Sequence, residues 1–96
     1  MFKHKKIKTG GKYIEAFWIR LLSKNLILLK GSKGYLMCGY LNMLSAQRSG
    51  DIAGKFIGAR TIEEALKAKL HSCTGKAGRS GLYPGQPVKD ALKLIA

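Results

Sequence analysis

Acidic side chains are scarce in this chain of 96 residues, which carries 5 Asp and Glu against 18 Lys and Arg and a formal net charge of +13. A paired acid–base site therefore has few residues from which to form. Glu63 and Glu64 are adjacent on a predicted helix and point in different directions, so they do not make one. A positive field of this size favours polyanions such as nucleic acid, or a small phosphorylated ligand.

Cysteine and histidine are also few, with two of each. They show no metal-ligand spacing, because a zinc site would have to gather all four from scattered segments. A nucleophilic Cys38 would need a nearby base, and a cysteine on a buried strand is more often a small apolar filler. We therefore predict no metal, no cofactor and no catalytic residue, and we favour a protein that is not an enzyme.

Long hydrophobic runs are absent as well. The longest, residues 16–19 and 26–29, fall far short of the roughly 20 apolar residues that span a membrane. Lysines at the start of the chain interrupt the apolar segment that a secretory signal peptide requires. With only two cysteines, these features predict a cytoplasmic protein in a reducing compartment, without a membrane partner.

The overall pattern is that of a single domain over residues 1–96. We predict an α+β fold, with a small mixed or antiparallel sheet, an N-terminal β region and three short helices packed on it. Residues 1–11 are predicted as a basic, partly flexible N-terminus that ends at a Gly-Gly turn. Residues 12–30 are predicted as the β region, with strands over 12–22 and 26–29.

Short-range signals mark the elements that follow. Asn42 is placed to cap one helix and Gly50 to end it, while Thr61 and Glu64 form a capping box for the next. The predicted elements are, in chain order, a hairpin turn over 31–34, a strand over 35–41, a helix over 43–49, a strand over 52–57, a helix over 62–68, a short strand over 69–73, a turn over 83–85 and a helix over 88–95. Residues 75–80 are a weak helix at best, because of their two glycines, and are not counted among the three.

The first predicted strand has apolar residues on both faces. Alternate residues point to opposite faces of this strand. One face carries Tyr13, Phe17 and Ile19, and the other carries Ile14, Ala16 and Trp18. This pattern is typical of a strand that is covered on both sides, and a chain of 96 residues has little with which to cover both. We predict that a second copy supplies the other cover, so that residues 12–30 mediate a homo-oligomer.

A small-molecule site is predicted around Cys38, Asn42 and Arg60, and it could be shared between subunits. Arg60 directly precedes a predicted helix, where free backbone amides assist the binding of an anion. The predicted ligand is a small molecule or an anion, and the sequence does not identify it.

Non-specific binding of RNA or DNA is the alternative function. Phosphate contacts would come from the lysines of the N-terminal segment: Lys3, Lys5, Lys6, Lys8 and Lys12. Motifs of specific RNA-binding modules are incomplete. Met37 stands where an RRM needs a second stacking aromatic, and Gly31-x-x-Gly34 lies between strands rather than between the helices of a KH domain.

Two stretches of the chain resemble a known family. One runs from Lys24-Asn25-Leu26 through the core Gly34-Tyr35-Leu36-Met37-Cys38-Gly39-Tyr40-Leu41-Asn42, and the other is Gly58-Ala59-Arg60-Thr61-Ile62-Glu63-Glu64-Ala65-Leu66. Both are similar to the signature of the YunC-like family, a domain of unknown function numbered 1805, and the resemblance extends over residues 13–95. It implies an α/β fold whose N-terminal β region mediates tetramer formation, and it implies no established activity.

Overall fold

The computed structural model describes residues 2–39 and 42–96, in which a six-stranded sheet is the largest feature. The strands follow one another across the sheet in chain order: β1 (Phe2–Thr9), β2 (Lys12–Leu21), β3 (Lys24–Lys30), β4 (Tyr35–Met37), β5 (Ala53–Lys55) and β6 (Ser72–Cys73). All neighbours are antiparallel except β4 and β5, which are parallel and joined by a helical crossover.

Four short helices accompany the sheet: α1 (Met43–Ser49), α2 (Ile62–Lys67), α3 (Gly75–Arg79) and α4 (Val88–Ile95). The predicted α+β fold is confirmed, with four helices rather than three. The additional helix is α3, whose two glycines lower its intrinsic stability. Its N-cap Thr74 offsets this, because the Thr74 side chain accepts a hydrogen bond from the amide of Ala77 at 3.2 Å.

Strand β1 was not predicted, and the N-terminal segment assigned as a basic terminus instead pairs along its whole length with β2. Lysines on both faces of β1 hide the alternation that marks a strand. The predicted strand over 35–41 is also shorter, since β4 ends at Met37, and Tyr40 and Leu41 lie outside the described residues.

One face of the sheet packs against α2 and α4 to form the main core. Its centre consists of residues with no exposed surface from β2, β3 and β4: Ile14, Ala16, Ile27, Leu29 and Leu36. Helix α4 adds the buried side chains of Val88, Leu92 and Ile95, as the spacing in the sequence predicts. No helix among the described residues is long and apolar enough to cross a membrane.

The other face of the sheet has only a partial cover. Helix α1 packs there through Ala46 against Ala53, at the β4–β5 end. The part formed by β1, β2 and β3 has no helix on it within the described chain. The strand β2, which was expected to be covered on both sides, is thus covered on one side by its own chain.

Candidate functional site

The uncovered part of the sheet is an apolar surface, which we call the open face. Strand register places on it the side chains that point away from the main core: Phe2 and His4 from β1, Tyr13, Phe17 and Ile19 from β2, and Leu26 and Leu28 from β3. Phe2 and Tyr13 are each 60% exposed, and the four aliphatic and aromatic side chains nearer its centre are half-buried. Exposed apolar side chains grouped in this way are typical of an interaction surface.

Aromatic stacking gives the open face a fixed centre. The ring of Phe17 stacks on that of Phe2 with centroids 6.4 Å apart, and on the imidazole of His4 at 4.5 Å with an interplanar angle of 7°. The imidazole of His4 makes a second contact, because its Nε2 lies 3.6 Å from a carboxylate oxygen of Glu15. These contacts define the packing of the aromatic side chains around Phe17.

The five lysines proposed to contact nucleic acid do not form one surface. Strand register places Lys6 and Lys8 on the open face and the other three on the opposite face. Lys3 lies over the ring of Trp18, 5.2 Å from its centroid, and the amino group of Lys5 bonds to Glu63 at 3.3 Å. Because β1 is an edge strand, lysines here also discourage pairing with the edge of another sheet. Nucleic-acid binding stays a prediction that this geometry does not favour.

Arg60 lines a cavity of about 470 Å³, a size typical of small-molecule sites. Its walls come from three chain segments, one of which is the start of β3: Ser23, Lys24, Asn25, Gly39, Gly58, Ala59 and Arg60. Two of these side chains are cationic and none is acidic. We call this space the Arg60 cavity.

The polar groups of the Arg60 cavity are mostly donors. The Asn25 side-chain oxygen is occupied, since it accepts a hydrogen bond from Trp18 Nε1 at 2.8 Å. This contact orients the Asn25 amide, whose nitrogen has no partner among the described residues. With the ammonium group of Lys24 and the guanidinium of Arg60, the cavity has three side-chain donor groups and no acidic side chain, which is a combination that suits an anion.

Cys38 lies beneath the Arg60 cavity rather than in its wall. Its side chain is 4% exposed, and its thiol donates to the carbonyl oxygen of Asn25 at 3.6 Å and accepts from the amide of Ile27 at 3.4 Å. These bonds cross from β3 to the end of β4 and fix the backbone that carries Asn25. The structure therefore gives Cys38 a positioning contact to the cavity and no base within hydrogen-bonding distance among the described residues.

Asn42 lies in a different cavity from Arg60. Its side-chain oxygen accepts from the amide of Ser45 at 3.1 Å and caps α1, as predicted. The cavity beside it, of about 320 Å³, is also lined by Tyr35 and Asp51. The structure thus brings Cys38 close to the Arg60 cavity and does not bring Asn42 there.

Tyr35 should ionise at unusually high pH. Its hydroxyl donates to a carboxylate oxygen of Asp51 at 2.8 Å. The pKa of Tyr35 is raised to about 12, mainly by burial and then by this hydrogen bond and the negative charge of Asp51. Because the pKa of Tyr35 is raised in the folded state, the protonated hydroxyl contributes fully to the free energy of unfolding below pH 10. This contribution is lost as the pH rises towards 12. An ultraviolet titration should show one tyrosine ionising late, and Asp51→Asn should lower its pKa partway. An unchanged titration curve in that variant would contradict the assigned bond.

Catalytic and metal-binding constellations are absent from the described ranges. No group of three or more His, Cys, Asp and Glu side chains is placed there to hold a metal ion. One hydroxyl–imidazole contact occurs, between Ser72 and His71 at 3.4 Å, but it is exposed and no carboxylate orients the ring. Burial raises the pKa of the Cys73 thiol, which disfavours its reactive thiolate form.

These features define the class of the protein, a small α+β domain with a six-stranded mixed sheet, one open apolar face and a cationic cavity at the sheet end. Residues 37–95 match the sequence profile of the family described as "Domain of unknown function (DUF1805)". The chain therefore belongs to the DUF1805 family. The matched residues begin at the end of β4, so that the strands of the open face precede them.

Two relatives extend the similarity to the N-terminal strands. The chain is 31% identical over 90 residues to "Uncharacterized protein YunC" of Bacillus subtilis (strain 168). The aligned region covers 90% of this chain and 89% of that protein. It is also similar to the crystal structure of a protein of unknown function, TA1206 from Thermoplasma acidophilum. That match has a TM-score of 0.96 and 35% identity, over 100% of this chain and 94% of the other.

Sequence reasoning named Arg60 and did not name the other residues that line its cavity. Lys24, Asn25 and Gly39 are distant from Arg60 along the chain, and no local motif links them. A signal for them was nevertheless present, because every residue of the cavity wall except Ser23 lies in the two stretches that resemble the family signature. That signature therefore includes the wall of one cavity as well as core positions.

Proposed function

We propose that the protein is a non-catalytic homo-oligomer, a tetramer, that assembles through the open face and holds a small anion in the Arg60 cavity. The observation that carries this proposal is the open face itself. It is an apolar surface that no helix of the described residues covers. Burying such a surface against a second copy removes apolar area from water, which is the main favourable term in association.

Self-association is favoured over another partner by the make-up of the open face. A two-fold axis brings the same surface of two copies together, so that surface must be complementary to itself. The centre around Phe17 is apolar, and the charged groups lie around it, with Glu15 among the lysines of β1 and β3. A glutamate of one copy can then meet a lysine of the other at the rim.

A tetramer needs a second contact, and the hairpin between β2 and β3 offers one. Leu22 at its tip is 98% exposed, and next to it Leu21 is 42% exposed. Leu22 also has φ +44°, in the left-handed region that a leucine rarely adopts. No residue in the described ranges covers Leu22, whereas a second two-fold contact at the tip would bury it and close a tetramer.

The Arg60 cavity should bind a small anionic ligand, and this can be tested by thermal shift with a panel of small carboxylates and phosphate esters. At ten times its dissociation constant, a bound ligand stabilises the fold by about 1.4 kcal/mol. For a domain of this size that is a rise of roughly 5–10 °C in Tm. The stabilisation should disappear in Arg60→Ala and weaken in Lys24→Ala, because each removes one cation from the cavity wall.

Arg48→Ala is the matched control for this experiment. Arg48 is exposed in the last turn of α1 and lines none of the cavities described above, so the variant should respond to the ligand as the unaltered chain does. Equal loss of the response in Arg48→Ala and Arg60→Ala would mean that net charge, and not the cavity, attracts the anion. No response to any compound in the panel would remove the ligand from the proposed function.

A further inference from the structure

A separate basic cavity of about 360 Å³ lies beside the turn between β3 and β4. Three lysines from different parts of the fold line it: Lys30 at the end of β3, Lys33 in the turn and Lys76 on α3. It shares no residue with the Arg60 cavity. In the part of the chain that the structure describes, none of these three ammonium groups forms an ion pair.

The turn is a rigid support for two of these lysines. The amide of Gly31 donates to the carbonyl of Gly34 at 2.8 Å, and the amide of Lys33 donates to the carbonyl of Ile95 at 2.9 Å. Close packing requires glycine at both positions. A Cβ at Gly31 would overlap the carbonyl oxygen of Ile95, and a Cβ at Gly34 would overlap the carbonyl oxygen of Ile52. The glycines therefore allow the chain segments to approach, while the lysine side chains remain free to bind.

Asp51 is the single acidic residue in the lining, and it already has a partner in the Tyr35 hydroxyl at 2.8 Å. Its backbone carbonyl is also engaged, since it accepts from the Thr74 hydroxyl at 2.7 Å. These bonds hold the carboxylate away from pairing with the lysines. Three cations and one anion leave the cavity with an excess of positive charge that has no partner among the described residues.

We propose that this cavity binds a small phosphate compound that carries at least two negative charges. Lysine ammonium groups act as point charges with rotating donors, so three of them can surround the tetrahedral oxygens of a phosphate from several directions. A lone carboxylate, by contrast, is planar and matches the guanidinium fork that this cavity lacks. The proposal stands apart from assembly and from the Arg60 cavity, because different residues carry it.

The test is calorimetric titration of pyrophosphate into the full chain at low ionic strength. Lys33→Gln and Lys76→Gln should each weaken binding by roughly two- to fivefold, as expected for loss of one exposed charge contact. Asp51→Asn should have the opposite effect and tighten binding, because it removes the repulsive carboxylate and keeps an oxygen that can accept from Tyr35. Arg60→Ala should keep the part of the binding that depends on Lys33 and Lys76, because Arg60 does not line this cavity.

Two variants on α4 serve as matched controls. Lys89→Gln and Asp90→Asn make the same charge changes at exposed positions outside the cavity, and both should leave the affinity within about twofold. If affinity follows net charge alone, so that the cavity variants and the α4 variants shift equally, the proposed site is wrong. It is equally wrong if pyrophosphate does not bind, or if binding is lost in Arg60→Ala and kept in Lys33→Gln and Lys76→Gln. Circular dichroism spectra confirm that each variant is folded.

Discussion

Replacing Phe17 with glutamate should break the proposed assembly at the open face and leave smaller, folded particles, joined at most through the hairpin tip. Phe17 is at the centre of the open face, where it stacks on Phe2 and His4. In an assembly, the new carboxylate would be buried against the apolar surface of a second copy, and burial of an unpaired charge costs several kcal/mol. In a single chain the same carboxylate reaches water beside His4, so we expect the fold to lose only about 1 kcal/mol.

Sedimentation velocity measures this change directly. The cross-strand neighbour of Phe17 is Leu28, so Leu28→Glu should have the same effect. Leu44→Glu is the matched control, because Leu44 is a 59% exposed leucine on α1, outside the open face. An assembly that keeps its size in both Phe17→Glu and Leu28→Glu would place the interface elsewhere.

Replacing Phe56 with alanine should have the largest effect on stability. Phe56 is the bulkiest of the side chains with no exposed surface, and it directly follows β5 in the main core. A Phe→Ala change in a core costs about 3–5 kcal/mol, from lost burial and the cavity left behind. That is a large fraction of the roughly 5–10 kcal/mol expected for a small domain.

Urea unfolding of Phe56→Ala and of its neighbour variant Ile57→Ala, at one protein concentration, tests this prediction. The side chain of Ile57 is 55% exposed, so its truncation should change the free energy of unfolding by less than about 1 kcal/mol. A fixed concentration matters because assembly itself contributes to stability. Equal midpoints for the two variants would contradict the assigned core.

Local signals in the sequence predicted most helices of this fold. The capping oxygen of Asn42 and the left-handed Gly50 with φ +74° bound α1 as expected. The Thr61 hydroxyl accepts from the amide of Glu64 at 3.1 Å, which confirms the start of α2. One detail differs, because the Glu64 carboxylate accepts from the amide of Arg60 at 3.0 Å and not from that of Thr61. Such contacts span only a few residues, and their side chains are sufficient to specify them.

Features that depend on distant contacts were harder to predict. β1 is a strand because β2 supplies its hydrogen-bond partners, and its own lysine-rich sequence has low strand propensity. The Arg60 cavity also depends on residues that are distant in sequence, because the register of β3 and the Cys38–Asn25 contact bring its walls together. Asn42 was placed in one site with Arg60, but the two residues line different cavities.

Light scattering on the unaltered chain at micromolar concentration tests the central claim most directly. The open face predicts an assembly whose mass is a multiple of the 10.5 kDa chain mass, and the hairpin tip predicts that the multiple is four. Dilution should dissociate the assembly without unfolding individual chains first. A particle of 10.5 kDa that stays folded at every concentration would contradict assembly through the open face.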